Sequence, residues 1–453
     1  MGDSGKAIVI QRIFFAAFWV FCTFGFISDE LLPIETLRTA VMLMCDAVVL
    51  ALGLYTLRSS NWAMLSVAFF MLYAFMVTKI YNGYLIPFFL NGTRDFFGLL
   101  FYFPIFRWFC SEDKRREQFI AQFDKSLTIF LWLQLICIPW QLLKYGAGDH
   151  GGGSFGNWYS GIVSLSIYCA SFYLINKRID TKRFFRSLWE NKSYIFLLIP
   201  TFMNETKISF VLIFLYFVLL MPIDFKMFVR VLLVMPLLAI LVWVGSMIYH
   251  SQQSGYDFMS EEFLLDYFIS DLDEAESDAK WSQNQTEGGE TDIPRFTKFL
   301  LMEQLDEEHP GHIMTGFGVG HFKGGTLTKQ SDLSQEYDWL FYGTIPYAIH
   351  VYVQLGVIGL IWMIANFWMM FAHAPATVQR RNLNVHLYLL LIVMMIQIYN
   401  EAYRGPEFSF FFVGVLVCSW LSPKDEALQN LADENPAVPT IHSHGYATPR
   451  RNV

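Results

Sequence analysis

The decapeptide GFGVGHFKGG at 316–325 places glycines at 316, 318, 320, 324 and 325. In a soluble enzyme such a stretch is a loop that closes over nucleotide phosphates. The spacing here is G-x-G-x-G, which is neither the dinucleotide G-x-G-x-x-G nor a Walker loop with its lysine. Two readings remain for Gly316, Gly318 and Gly320: tight turns at positive φ where the chain re-enters an apolar layer, or a wall of a pocket for another phosphorylated group. Residues suited to the second reading recur along the chain. Arg295 opens RFTKFLLMEQL (295–305), where a guanidinium beside free helix-end N–H groups makes an anion site; its alternative is an interfacial arginine meeting lipid headgroups. Arg94 in NGTRDFFG, Lys207 in NETKISF and Arg404 in NEAYRGPEF each have an acid close by: Asp95, Glu205, and Glu401 or Glu407. Any one of these cations alone reads equally well as a structural ion pair, whereas several on one face suggest a binding pocket. Candidate proton acceptors are His321, Asp338, His350 and Glu401. For His350 a buried, hydrogen-bonded helix histidine is the competing reading.

The elements that must position these groups are membrane helices. Of 453 residues, 54% are hydrophobic, 18% aromatic and 16% charged, far from the soluble average. The apolar residues form blocks long enough for a bilayer about 30 Å thick. IFFAAFWVFCTFGFI (13–27) is the first, and it lacks an A-x-A cleavage site, so it reads as an anchor rather than a signal peptide. The expected fold is an all-α, polytopic transmembrane bundle of about twelve spans with one large extracytoplasmic loop. The spans fall near 13–28, 40–57, 61–78, 96–110, 119–143, 158–175, 193–203, 208–222, 230–249, 344–371, 385–399 and 407–422. The seventh is short and holds Pro200, which predicts a broken or shallow helix. With the N-terminus inside, the short inner loops carry fifteen Lys and Arg. The outer ones carry six: Arg38, Lys79, Arg94, Lys144, Lys207 and Arg404. The positive-inside rule then fixes both termini as cytoplasmic.

Four regions follow: helices one to nine (1–249), the long outer loop (250–343), helices ten to twelve (344–422) and a polar cytoplasmic tail (423–453). Outside the cell a nucleotide site at the glycines is disfavoured. From Asp257 to Asp292 the loop has twelve Asp and Glu and one Lys; without EF-hand spacing this reads as a solvated acidic face or mobile lid. After it, Phe296, Phe299, Leu300 and Leu305 predict an amphipathic helix lying on the membrane surface. The six cysteines show neither a disulfide framework nor zinc spacing. Nothing in the chain suggests nucleic acid.

The order of about twelve helices, one large outer loop, Arg295, GFGVGHF and QLGVIGL (354–360) resembles the O-antigen polymerase/ligase superfamily of bacterial surface-polysaccharide enzymes. Arg295 matches the arginine that opens a loop helix, Gly316, Gly318, Gly320 and Phe322 match the turn, and Gly356 and Gly359 match a GxxG helix motif. FGNWYSG (155–161) is similar to an outer-loop segment of that family, and Lys207 stands where members carry an arginine. Ligases of the family carry a His-Asn pair about eleven residues before the GxxG glycine. Here His350 stands six before Gly356 and is followed by Val351, which places it two turns into its helix and tilts the likeness toward a polymerase. The resemblance implies a bacterial inner-membrane glycosyltransferase joining polyprenyl-diphosphate-linked oligosaccharides. A ligase acting on a lipid core, or a transporter of such lipids, is the alternative. Partners implied are the lipid-linked glycan, membrane lipids, a flippase and a chain-length regulator; no metal or nucleotide cofactor is implied.

Overall fold

The computed structural model describes residues 3–32, 35–146, 151–157, 159–179, 183–203, 208–221, 295–322, 337, 345–372 and 380–419, and every regular element among them is helical. The expected span at 230–249, the acidic run, Lys207, Asp338 and the tail at 423–453 lie outside the described residues.

The chain begins with α1 (Asp3–Phe26), α2 (Glu35–Thr56) and α3 (Asn61–Phe75); α1 and α3 each run on into a π-helical turn, at Ile27–Leu31 and Met76–Tyr81. The short α4 (Ile86–Thr93) has a proline in its first turn, where no amide hydrogen is needed. A tight turn at Arg94–Phe96 leads into α5 (Phe97–Cys110), followed by the 33-residue α6 (Asp113–Tyr145) and α7 (Ser160–Asn176). After α8 (Phe184–Glu190), the expected seventh span is broken into α9 (Lys192–Phe196) and α10 (Pro200–Met203), with Pro200 opening the second piece. Then come α11 (Ile208–Leu220), α12 (Arg295–Glu308), α13 (Tyr347–Ala372), α14 (Arg380–Tyr399) and α15 (Pro406–Cys418).

Among the described residues, five stretches are long and apolar enough to cross a membrane: Lys6–Leu31, Leu37–Ser59, Asn61–Tyr81, Lys114–Tyr145 and Tyr347–Ala372. They are the helices of a membrane protein, and exposed Leu65, Leu72, Ile136, Ile361 and Trp368 mark their outward faces. The shorter α5, α7 and α15 are buried on nearly every side, as helices apolar all round must be. Aromatic rings fill the space between them: Phe410 of α15 stacks on Phe18 at 3.7 Å and packs edge-on against Phe106 at 5.3 Å.

Alternation of helix direction sorts the connections into two groups. One end joins Gln11 to Gln122, Ser59 to the Pro104 carbonyl and Lys177 to Asp124. The other joins Glu30 to Lys144, Asp29 to the Asn157 amide and Asn82 to the Phe317 carbonyl, and there the Tyr347 amide donates to the Asn400 carbonyl. The second end carries the candidate site.

Candidate active site

Helix α13 is interrupted. At Gly356 the backbone takes φ 64° and ψ −163°, a conformation essentially restricted to glycine. The interruption frees the N–H groups of Val357 and Ile358 and the carbonyls of Val353 and Gln354, which an unbroken helix would pair four residues apart. The loop at 313–318 takes all four. Val357 N–H donates to Ile313 O (3.0 Å), Ile358 N–H to Met314 O (3.3 Å), Phe317 N–H to Val353 O (2.8 Å) and Gly318 N–H to Gln354 O (2.9 Å). The Tyr73 hydroxyl donates to Leu355 O at 2.9 Å. Loop and helix are thus interlocked through their main chains, which answers the need for buried backbone groups to be paired. A Cβ on Gly356 would fall on the Met314 backbone, and one on Gly316 (φ 70°) on the backbone of Gln354 and Leu355.

This revises the reading of the opening glycines. Gly316 N–H donates to His312 O (2.7 Å), Val319 N–H to Thr78 Oγ1 (2.9 Å) and Gly320 N–H to Gln354 Oε1 (2.9 Å). With Phe317 and Gly318 occupied as above, no amide from 316 to 320 points at a ligand. Gly316, Gly318 and Gly320 shape the site by close backbone approach and do not cradle phosphate.

The turn closes over a network of buried and half-buried side chains. Arg404, in the turn between α14 and α15, donates from Nε to Asp95 Oδ2 (3.1 Å) and from Nη1 to Glu401 Oε2 (2.7 Å). No described residue takes a hydrogen bond from its Nη2. Asp95 is 4% exposed, and its Oδ2 lies 3.6 Å from Nε2 of His350, itself 6% exposed. His350 lies between the rings of Phe96 and Tyr347, each 6.0 Å away. Gln354, one turn along α13, reaches Nε2 of His350 at 2.7 Å. Because α13 starts at Tyr347, His350 occupies its first turn rather than lying two turns in, as the sequence suggests. The Asn400 carbonyl, by taking the Tyr347 amide, defines that start.

Arg94 points away from its neighbour Asp95 and pairs with Asp46 of α2, Nε to Oδ2 at 2.7 Å and Nη2 to Oδ2 at 2.5 Å. It is a structural ion pair, and the acid is not the one adjacent in sequence. Glu401 likewise holds a guanidinium, so it serves Arg404 rather than standing as an independent base. Glu407 is buried nearby, with Oε2 lacking a hydrogen-bond partner and lying where a Gly405 side chain would be.

Arg295 begins α12, and its guanidinium lies over the Tyr399 ring at 4.1 Å. Tyr399 precedes Glu401 by two residues, so Arg295 flanks the network. The inward stripe of α12 differs from expectation. Leu301, Met302 and Leu305 are buried with Thr297 and Lys298, while Leu300 is 44% exposed. Leu301, Met302 and Leu305 pack with Phe317, Ile345, Ile349 and Val353, so α12 covers the loop and α13.

His321 is fully buried, stacked on Tyr84 at 3.9 Å with the Tyr84 hydroxyl 2.7 Å from Nε2. Burial, and secondarily the charge of His312, lowers its pKa from 6.5 to about 4. A neutral, enclosed imidazole anchors the turn and is not a phosphate contact. The structure therefore gathers His350, Glu401 and Arg404, adds Asp95 and Gln354, places Arg295 on Tyr399 two residues before Glu401, and sets Arg94 and His321 to structural tasks. Two signals were available in the sequence. Positions 295, 298, 302 and 305 follow helical spacing, and Asp95 and Gln354 are isolated polar residues in apolar blocks.

No protein-family model and no curated protein matches this chain.

Proposed function

We propose that this protein is a membrane glycosyltransferase that polymerises polyprenyl-diphosphate-linked oligosaccharides on the outer face of the bacterial inner membrane. On this reading the chain has about twelve spans and cytoplasmic termini, the 250–343 loop is extracytoplasmic, and the chain belongs with the O-antigen polymerase/ligase enzymes it resembles. The observation that carries the reading is the Arg404–Asp95–His350 cluster beneath the glycine turn, in which Asp95 and His350 are buried and Arg404 is partly exposed, with Arg295 on neighbouring Tyr399. Ionisable groups held together at membrane depth are costly and are retained for function.

The chemistry follows from the residue types. The acceptor hydroxyl oxygen attacks the anomeric carbon and its proton passes to His350 Nε2. The anomeric C–O bond breaks, and its electron pair leaves on the diphosphate. Asp95 steadies the imidazolium, while Arg404, through an Nη2 that no described residue engages, and Arg295 balance the diphosphate charge. Direct displacement inverts the anomeric configuration. Lys207 and Asp338 stay in the proposal as further diphosphate and base candidates on the strength of sequence position.

Changing Arg295 to Ala in cells should abolish surface polymer while protein level and membrane insertion stay normal; Arg295→Lys should keep part, since a point charge replaces a planar fork. Normal polymer from Arg295→Ala would reduce this arginine to a headgroup contact. A transporter of the same lipids is the second reading, favoured by the interruption at Gly356, because broken helices line transport sites. Lipid flipping without any change in glycan length would select it.

A further inference from the structure

A second glycine-rich segment, at 151–157, enters between α1 and α6 as a buried loop. On the α6 side Gly153 N–H donates to Gln141 Oε1 (2.6 Å) and Ser154 N–H to Gln134 Oε1 (2.9 Å). On the α1 side Asn157 N–H donates to Asp29 Oδ2 (2.8 Å). Backbone buried away from water needs such partners. The loop comes so close to α1 that a Cβ on Gly25 would fall on the Phe155 carbonyl. It is a wedge that holds α1 and α6 apart at this level. Beside it the two helices leave a crevice of about 540 Å³, within the roughly 300–1,000 Å³ of small-molecule sites. The crevice runs from Thr23 to Leu31 on α1 and from Leu133 to Trp140 on α6, with Cys137 and Ser154 in its wall. At 1.5 Å per residue those stretches are about 10–12 Å long, less than half of a hydrocarbon core about 30 Å thick. The polar residues in the wall are already engaged: Thr23 Oγ1 donates to Trp19 O (2.7 Å), and Ser154 Oγ accepts from Gln134 Nε2 (2.7 Å). Leu31, Ile136 and Trp140 are exposed, so the crevice opens sideways on the membrane-facing surface.

We infer that this crevice holds one acyl chain of a membrane phospholipid, with the lipid phosphate at Lys144. A chain that leaves the bilayer for the crevice gains no hydrophobic energy, because lipid tails are as apolar as the wall. Retention therefore depends on shape and on the head group. The wedge supplies the shape. Lys144 supplies the contact for the head, four residues beyond Trp140 and so on the same face of α6. Its Nζ lies 2.8 Å from Glu30 Oε2 and 4.8 Å from the centre of the Tyr145 ring. The Glu30 side chain is enclosed while Lys144 is half-exposed, so the pair presents its cation outward to a phosphate. Trp140 and Tyr145 flank it, as aromatic residues do at a membrane–water interface. The occupant is not the lipid donor of the proposed reaction. None of the described residues lining the crevice belongs to the Arg404–Asp95–His350 cluster. Phe155, next to Ser154, is buried against Phe130 and Phe411 and closes the crevice toward the core. The inference stands whatever reaction the protein catalyses.

The test is native mass spectrometry of protein reconstituted in vesicles of equal parts phosphatidylethanolamine and phosphatidylglycerol, then taken up in detergent. The wild type should retain one phospholipid per chain. With a photoreactive diazirine on the acyl chain, crosslinks should concentrate in the peptides covering 23–31 and 133–140. Cys137→Phe fills the crevice and should lose the retained lipid. Glu30→Gln/Lys144→Gln removes the cation without stranding the enclosed carboxylate, and it should weaken retention about fivefold, the weight of one lysine at a lipid head group. Wild-type protein that emerges without lipid, or crosslinks spread evenly over the outward faces of all the helices, overturns the inference without requiring any variant to fold. Retention unaffected by Cys137→Phe does the same. Polyprenyl phosphate added to the same vesicles should not displace the phospholipid. Displacement would assign the crevice to the tail of a polyprenyl lipid and overturn the phospholipid as its occupant.

Discussion

Replacing Gly356 by alanine should release the 313–320 loop while leaving most of helix α13 intact. Alanine at φ 64° and ψ −163° carries about 1–3 kcal/mol of backbone strain, and its methyl group would collide with the Met314 backbone. Both are relieved if residue 356 becomes helical. Val357 and Ile358 then donate to Val353 and Gln354 within the helix, and the four hydrogen bonds now exchanged with the loop are lost to it. Two helical bonds replace two of those four, so at about 1 kcal/mol each the net loss is roughly 2 kcal/mol. The docked loop should thus be disfavoured by about 1–3 kcal/mol, a population shift of roughly 5- to 150-fold. The assay is maleimide labelling of Val319→Cys, a fully buried position whose amide is held by Thr78. Labelling should accelerate by that factor when Gly356→Ala is added, with far-ultraviolet circular dichroism unchanged. Equal protection in the two backgrounds, with full activity, would refute the interlock as the loop's anchor.

Other consequences can be measured separately. His321 is buried neutral, so the unfolded chain binds a proton between pH 6.5 and about 4 that the folded chain does not. Loop docking should therefore weaken as pH falls through that window, by roughly 3 kcal/mol at its acid end. His321→Gln should flatten the labelling rate of Val319→Cys against pH. Removing the buried carboxylate with Asp95→Ala leaves Arg404 half-paired; about 3–5 kcal/mol is typical for a buried pair, and partial exposure of Arg404 should reduce this. Thermal unfolding should recover part of the loss in Asp95→Ala/Arg404→Met, and no recovery would mean that the two do not act as a pair. Cysteines introduced near Ser282 should label from outside whole cells while those near Arg183 and Gln429 do not; the opposite pattern reverses the proposed orientation.

Much of the architecture is legible because bilayer physics is simple to read. Apolar blocks announce helices, Pro200 announces a break, and the alternation of blocks carries Arg94, the glycine turn, His350 and Arg404 to one end. Pairing is not legible in this way. Asp95 follows Arg94 in sequence, but the helix turn at Arg94–Phe96 sends the two side chains apart. Arg94 finds Asp46 at 48 residues' separation and Arg404 finds Asp95 at 309. The glycines announce unusual backbone, yet only the path of α13 shows that Gly356 and Gly316 fit into one another. The depth of His350 depends on where α13 begins, and a carbonyl from Asn400, in a different segment, sets that point. In α12 the apolar residues chosen from sequence included Leu300, whereas the buried stripe runs through Lys298 and Met302, because a long stem can be enclosed when its charge has company.

The central claim is tested most directly by the purified protein in lipid, given a polyprenyl-diphosphate oligosaccharide without nucleotide, ATP or added metal, with products resolved as a ladder on a gel. The account predicts a ladder that chelator leaves unchanged, that His350→Ala and Arg404→Met each reduce by at least about 100-fold, and whose new linkage has the anomeric configuration inverted relative to the donor. Unaltered donor in the presence of well-folded protein and demonstrable lipid flipping would contradict it.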